Sequence, residues 1–315
     1  MEKRKLGNTT VDVSPIVLGG NVFGWTIDEE QSFKILDDFV ERGFVTIDTA
    51  DVYSRWAPGN NGGESEVIIG KWMRSRGHRS QINIVTKVGM DVGQGGIDLS
   101  EKHILDACDN SLRRLQIDTI DIYLTHKDDD RTPVEETLGA YQKLIEAGKV
   151  RFIGASNLSP ERLQASLDAS RKHGLPRYDV FQPEYNLYDR EGFETTTASI
   201  CRDNNIGVIT YYALASGFLS GKYRSSDDLG QSVRGKGVEK YLNDRGSRIL
   251  KVLDEISSAH NVSLSAVALS WQLNSPLVTA PIASATKLTH LEAFTQAVEL
   301  KLSQDELNRL EDASK

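Results

Sequence analysis

The stretch Val45-Thr46-Ile47-Asp48-Thr49-Ala50-Asp51-Val52-Tyr53 decides how the rest of the chain is read. Its first three residues are apolar or β-branched, bounded by Gly43 before them and a carboxylate after them, which is the pattern of a short buried strand. Asp48 then sits at the strand's carboxyl end, and Tyr53 lies in the loop leaving it. A phenol beside a carboxylate can act as a proton donor if a neighbour lowers its pKa from about 10, and a buried ammonium would do that. Two more strand-like runs end in suitable groups, Ile82-Asn83-Ile84-Val85-Thr86-Lys87 and Ile120-Asp121-Ile122-Tyr123-Leu124-Thr125-His126. Asp48, Tyr53, Lys87 and His126 thus fall in or just after three strand ends.

Outward from that stretch, strands and helices alternate. Strand-like runs occupy 16–19, 45–47, 82–88, 120–125, 150–155, 180–182, 208–211 and 278–282. Between them lie amphipathic segments over 64–76, 100–115, 134–147, 159–173, 194–204, 248–260 and 287–297, and a helix that Thr26 or Asp28 can cap, running to about residue 42. Short strands without alternating polarity imply a parallel sheet buried on both faces. The simplest fold is a (β/α)₈ barrel as one domain over 1–315, preceded by a small hairpin at 4–13 around Gly7-Asn8 and followed by an extra helix at 303–313. An open doubly wound sheet is the competitor. It would bring a Gly-x-Gly-x-x-Gly turn after its first strand, and the nearest case, Gly93-Gln94-Gly95-Gly96, follows the Lys87 strand with the wrong spacing.

Composition narrows the function. The 315 residues are 39% hydrophobic and 26% charged with a net charge of −8, so a general nucleic-acid or acidic-membrane binder is disfavoured and any anionic ligand needs a local basic patch. The two cysteines, Cys108 and Cys201, lie far apart in helix-like stretches, which argues against a disulfide framework. The N-terminus has no signal-like apolar run and no stretch of about 18 apolar residues occurs, so a cytoplasmic protein is expected.

Each candidate also has an ordinary structural reading. Asp48-Thr49 could end a strand and cap a turn, Tyr53 could be a packed loop aromatic, and His126 could be one hydrogen-bonded histidine of six. Lys87 is harder to dismiss, because a lysine closing so apolar a run needs an acid or must lose its charge. Asp128, Asp129 and Asp130 beside His126 could suggest a metal, but nothing else completes a coordination set and no metal is expected. Two long loops flank the proposed site. Residues 51–63, with Trp56, form a natural pocket wall, and Trp25 and Trp56 are candidate substrate-pocket residues. Residues 215–246, with Lys222, Arg224, Arg234 and Lys236 among many glycines, have the composition of a mobile lid over phosphates or of a tolerated surface insertion.

Along essentially its whole length the chain resembles the aldo-keto reductases. The likeness is carried by residues 43–53, by Thr86-Lys87, by Tyr123-Leu124-Thr125-His126, by residues 148–157, by Gln182-Pro183-Glu184-Tyr185-Asn186 and by residues 216–223. The resemblance implies that Tyr53 is the proton donor, tuned by Lys87 and Asp48, with His126 orienting a substrate carbonyl. It implies that Ser156, Asn157 and Gln182 hold a nicotinamide carboxamide, that Tyr211 stacks on the ring, and that Leu214, Ser216, Gly217 and Lys222 belong to the loop over the pyrophosphate.

Relatives commonly hold the 2′-phosphate of NADP with an arginine after the eighth strand, whereas here the turn reads Pro281-Ile282-Ala283-Ser284-Ala285-Thr286-Lys287 and His290 stands where that arginine is common. Ser284, Thr286 and Lys287 remain to bind it, through a helix N-terminus and a point charge. NADP(H) is therefore expected to be preferred over NAD(H), though weakly. Three functions fit: an NAD(P)H-dependent reductase of aldehydes or ketones, or in the other direction an alcohol or sugar dehydrogenase; a cofactor-binding regulatory subunit; and a Schiff-base aldolase or isomerase using Lys87.

Overall fold

The computed structural model describes residues 2–315. Strands β1 (Arg4–Lys5) and β2 (Asp12–Val13) form an antiparallel hairpin. Eight parallel strands then close into a barrel: β3 (Val17–Gly19), β4 (Thr46–Asp48), β5 (Asn83–Val88), β6 (Ile120–Thr125), β7 (Val150–Ser156), β8 (Val180–Gln182), β9 (Gly207–Thr210) and β10 (Ala280–Ala283), with β10 returning to β3. The expected (β/α)₈ barrel with its leading hairpin is the fold observed.

The helices are α1 (Glu29–Glu41), α2 (Glu64–Arg76), α3 (Glu101–Leu115), α4 (Val134–Glu146), α5 (Pro160–His173), α6 (Glu191–Glu194), α7 (Ala198–Asp203), α8 (Asp244–His260), α9 (Leu264–Asn274), α10 (Leu288–Glu299) and the terminal α11 (Gln304–Ala313). Asp28 caps α1, accepting from the Gln31 backbone N–H at 2.9 Å. Ser303 and Glu306 form a capping box on α11, which satisfies two otherwise orphaned backbone donors.

The period of two in a strand separates two cores. Val85, Ile122, Leu124, Val180 and Ile209 fill the barrel interior, joined from below by Leu6, Val11 and Val13 of the hairpin. Ile47, Ile84, Tyr123 and Phe181 point outward into the larger core shared with the helices. Lys87 has the parity of Val85, and Asp48 the opposite parity from Ile47, so both project into the barrel axis above the apolar layers.

Three elements depart from the sequence reading. Helix α9 has no counterpart there, because residues 266–272 are all buried and no polar stripe marks its period. The helix expected over 194–204 is split into α6 and α7, with Thr195 donating its hydroxyl to the Glu191 carbonyl at 2.7 Å and Thr196 turning back likewise onto Gly192. The segment 215–246 is built of three 3₁₀ turns with an apolar interior of Phe218, Leu219, Tyr223, Val238 and Tyr241 rather than a loose glycine-rich loop. Phe218 stacks on Tyr241 at 5.1 Å, and the Tyr241 hydroxyl donates to Asp189 at 2.6 Å.

Candidate active site

All four candidate catalytic groups converge at the carboxyl end of the barrel. Asp48 is the last residue of β4 and pairs in register with Val85, two residues before Lys87 on β5, while His126 follows β6 directly. Lys87 is wholly buried and its Nζ has three acceptors, matching its three protons: Asp48 Oδ1 at 2.6 Å, the Thr49 carbonyl at 2.7 Å and Tyr53 Oη at 3.0 Å. The Tyr53 hydroxyl in turn donates to Asp48 Oδ1 at 3.2 Å. The Tyr53 and His126 rings lie 6.0 Å apart.

The electrostatics differ from the sequence expectation in one respect. Burial pushes the Tyr53 phenol well above its ordinary value, with Asp48 acting in the same direction, so the resting group is the O–H form rather than a phenol brought down by an ammonium. Burial pulls Lys87 downward, and the Asp48 carboxylate opposes that pull. Burial, then the Lys87 charge, holds His126 well below the usual histidine range, leaving a neutral imidazole whose Nδ1 has no partner among the described residues. Behind Lys87, outward-facing Thr86 donates to Glu66 of α2 at 2.7 Å, and Arg114 closes that wholly buried carboxylate at 2.7 Å. Asp51 is also buried, and burial, then Glu66, raises its carboxyl well above the usual carboxylate range, with Arg114 opposing.

A cavity of about 690 Å³ opens above this cluster, lined by Asp48, Tyr53 and His126 at its floor. Ser156, Asn157, Gln182, Tyr211, Leu214, Ser216, Gly217, Lys222, Ser284 and Thr286 also line it, as does Trp56. Two expected members lie outside the lining. Lys287 is exposed at the start of α10, and Trp25 stands behind Trp56 in an edge contact at 5.5 Å. Asn21, Met90, Tyr212, Arg234 and His290 line the cavity without having been singled out as site residues. They come from separate parts of the chain, Asn21 after β3, Met90 after β5, Tyr212 and Arg234 after β9 and His290 in α10, and only barrel closure brings them together.

Several cavity residues are hydrogen-bonded to one another. Gln182 donates from Nε2 to Asp48 Oδ2 at 2.8 Å, which makes it a support of that carboxylate. Ser156 Oγ donates to the Gln182 carbonyl at 2.8 Å, Asn157 Nδ2 to the His126 carbonyl at 2.9 Å, and Tyr211 Oη to Asn157 Oδ1 at 2.8 Å. Tyr212, Ala215 and Ser216 hold left-handed backbone conformations that cost a non-glycine residue about 1 kcal/mol or more each, and with Gly217 they turn the loop tightly over the cavity beside Lys222. A turn of this kind suits an anion. No cluster of three or more His, Cys, Asp or Glu placed to hold a metal occurs among the described residues. Asp128 and Asp129 clamp loops instead, pairing with Arg162 at 2.8 Å and Arg131 at 3.0 Å.

A model of the aldo/keto reductase family matches residues 15–315. An oxidoreductase of Bacillus subtilis named YrpG, described as uncharacterized, is 33% identical across 99% of this chain and 95% of its own length. The L-glyceraldehyde 3-phosphate reductase of Escherichia coli is 30% identical across 99% and 92%. An aldo-keto reductase of Schizosaccharomyces pombe, yakc [NADP(+)], is 29% identical across 98% and 90%. Matches of that extent, on a barrel of this topology, leave one conclusion: the chain belongs to the aldo/keto reductase family of oxidoreductases.

Proposed function

We propose that the protein is an NAD(P)H-dependent reductase of aldehydes or ketones in which Tyr53 is the proton donor. The observation that carries this reading is the buried Lys87 ammonium touching both Asp48 and the Tyr53 hydroxyl. When bound, a nicotinamide cofactor supplies hydride to the carbonyl carbon. The chain's own groups answer the negative charge that develops on oxygen. Tyr53, a neutral phenol, gives up its proton to that oxygen, and Lys87 stabilises the phenolate left behind. Asp48 balances the lysine and is itself held by Gln182. Neutral His126, facing Tyr53, orients the carbonyl oxygen by a hydrogen bond. Lys87 has all three protons engaged and does not line the cavity, which disfavours a Schiff-base nucleophile.

The residues present fit a dinucleotide. The strained turn with Lys222 suits a pyrophosphate, Tyr211 offers a flat ring, and Ser156, Asn157 and Gln182 present polar atoms near the floor. A weak preference for NADP(H) follows from Ser284, Thr286 and Lys287, since a lysine is a point charge where an arginine would be a fork. The NADP(+) in the name of the yeast relative agrees with that preference.

The decisive test is Tyr53→Phe, which removes one hydroxyl. We expect kcat for carbonyl reduction to fall by about 10² to 10⁴ while the Kd for NADPH barely moves. Wild-type turnover in the variant would remove Tyr53 from its role. For the cofactor, Lys287→Ala should raise the Kd of NADPH by about tenfold to a hundredfold and leave that of NADH nearly unchanged. Equal weakening of both would make Lys287 a structural residue, and a wild-type protein binding NADH more tightly than NADPH would reverse the preference.

A further inference from the structure

Arg234 sits in the segment between β9 and α8, at the entry to its third 3₁₀ turn. Its guanidinium lies over the Trp25 ring, 5.2 Å from the centroid. Trp25 meets Trp56 edge-on at 5.5 Å, and Trp56 stands 5.9 Å from the Tyr53 ring. Arg234 is therefore two indole rings away from Tyr53 along the aromatic wall. Lys222, the other lysine or arginine in the lining, packs instead beside Gly217 in the strained turn.

The guanidinium is poorly compensated by the protein. Its Nη2 is buried and has no hydrogen-bond partner among the described residues. Burial pulls its pKa down, and the groups that oppose this are the phenols of Tyr212 and Tyr223 rather than a carboxylate. The one carboxylate lining the cavity, Asp48, is already paired with Lys87. Cations buried without an acid are costly, and a chain carrying a net charge of −8 has acids to spare for pairing. A guanidinium over an indole gains from the ring face without using its N–H donors, and the geometry of those donors matches two oxygens of a carboxylate or phosphate.

We propose that Arg234 anchors an anionic group, a carboxylate or phosphate monoester, at the end of the substrate remote from its carbonyl. The proposal rests on the reading of the protein as a carbonyl reductase and specifies its substrate class. Val233 and Tyr212, exposed by 71% and 51% at the cavity, give the intervening part of such a substrate apolar surface to lie on.

The test compares ω-carboxyalkanals and ω-phosphonooxyalkanals of increasing length with the matching n-alkanals, with NADPH as reductant. The wild-type protein should favour the anionic member at one chain length by at least tenfold in kcat/KM, and whichever anion gives the larger ratio identifies its source. Arg234→Gln should erase most of that ratio through KM, and Arg234→Lys should restore part of it. A ratio unchanged in Arg234→Gln, or a loss explained by a higher Kd for NADPH, would overturn the assignment. A second measurement needs no turnover: titration of tryptophan fluorescence with n-alkanoates and n-alkyl phosphates in the protein saturated with NADP⁺. Saturable quenching that Arg234→Gln abolishes supports the anchor, and quenching that is absent or unaffected by the variant refutes it. Absence of turnover with every aldehyde would count against carbonyl reduction, with the fluorescence result still deciding the role of Arg234.

Discussion

Lys87 is the residue on which the polar floor depends, since it is wholly buried and ties the end of β5 to the end of β4 and the loop leaving it through one nitrogen. Removing it leaves Asp48 buried without a counter-charge, the situation in which breaking an ion pair costs about 3 to 5 kcal/mol. Lys87→Met should therefore lower the stability read from urea unfolding by about that amount, and adding Asp48→Asn should recover much of it. A double variant as unstable as the sum of the singles would mean that the two groups act independently. The pH profile of kcat/KM for reduction follows from the directions of the shifts. In the proposed reaction Tyr53 is the acid, and it is held above its usual value, so its loss of protonation lies on the alkaline side. The same proposal uses His126 in its neutral form, and it is held below the histidine range, so its charging lies on the acid side. Reduction should be flat between about pH 6 and 9, and an ionisation near the ordinary histidine value of about 6.5 would contradict the burial of His126. The identities of these residues are legible in the sequence because each closes an apolar run. Their hydrogen bonds are not. Gln182 reaches Asp48 across 134 positions, and no local pattern marks that contact.

At the scale of elements, strand ends are what deliver the site, and they are set by where apolar runs stop. The structure shifts several of these boundaries by a residue or two, yet the order and parity survive, and parity is what aims Lys87 inward and Thr86 toward Glu66. Helix α9 escaped reading because burial on all sides erases periodicity. The 215–246 segment misleads for the opposite reason, since its glycines and cations are conspicuous and its few aromatic anchors are not. Those anchors predict a specific behaviour. Tyr241→Ala removes the stack on Phe218 and the bond to Asp189, so trypsin should cut at Arg224, Arg234 or Lys236 much faster than in the wild type. Unchanged cleavage would mean that the turns hold themselves. Helices α3 and α7 carry Cys108 and Cys201, whose thiols burial pushes up to about 12. Neither should react with iodoacetamide at neutral pH in the native protein, whereas both should in denaturant, and rapid native labelling would show that one of the helices opens.

Across the whole molecule, the proposed chemistry and the closure of the barrel lie at opposite ends. The carboxyl ends of the strands hold charged groups and strained backbone, while the amino ends are sealed by the hairpin β1–β2. That plug is tightly seated: a side chain at Gly7, whose φ is +53°, would meet the Gly207 backbone nitrogen at 2.3 Å, so the hairpin turn lies directly against the start of β9. Leu6 is wholly buried and, with Val11 and Val13, completes the interior core that Val17, Val85, Val180 and Ile209 begin. A sequence reader sees only a short hairpin before the first core strand, since its position under the barrel follows from closure of β10 onto β3. If the division of labour is correct, the two ends respond separately to mutation. Leu6→Ala leaves a cavity beneath the apolar layers and should cost about 2 to 5 kcal/mol in stability. The floor residues stand above those layers, so kcat and KM for a carbonyl substrate at a temperature where the variant is folded should stay within about twofold of the wild type. Thermal unfolding followed alongside steady-state kinetics checks both halves. A variant that keeps its stability would show that the hairpin is a loose appendage, and one that loses kcat while folded would show that the plug sets the height of Lys87 and Asp48 in the barrel.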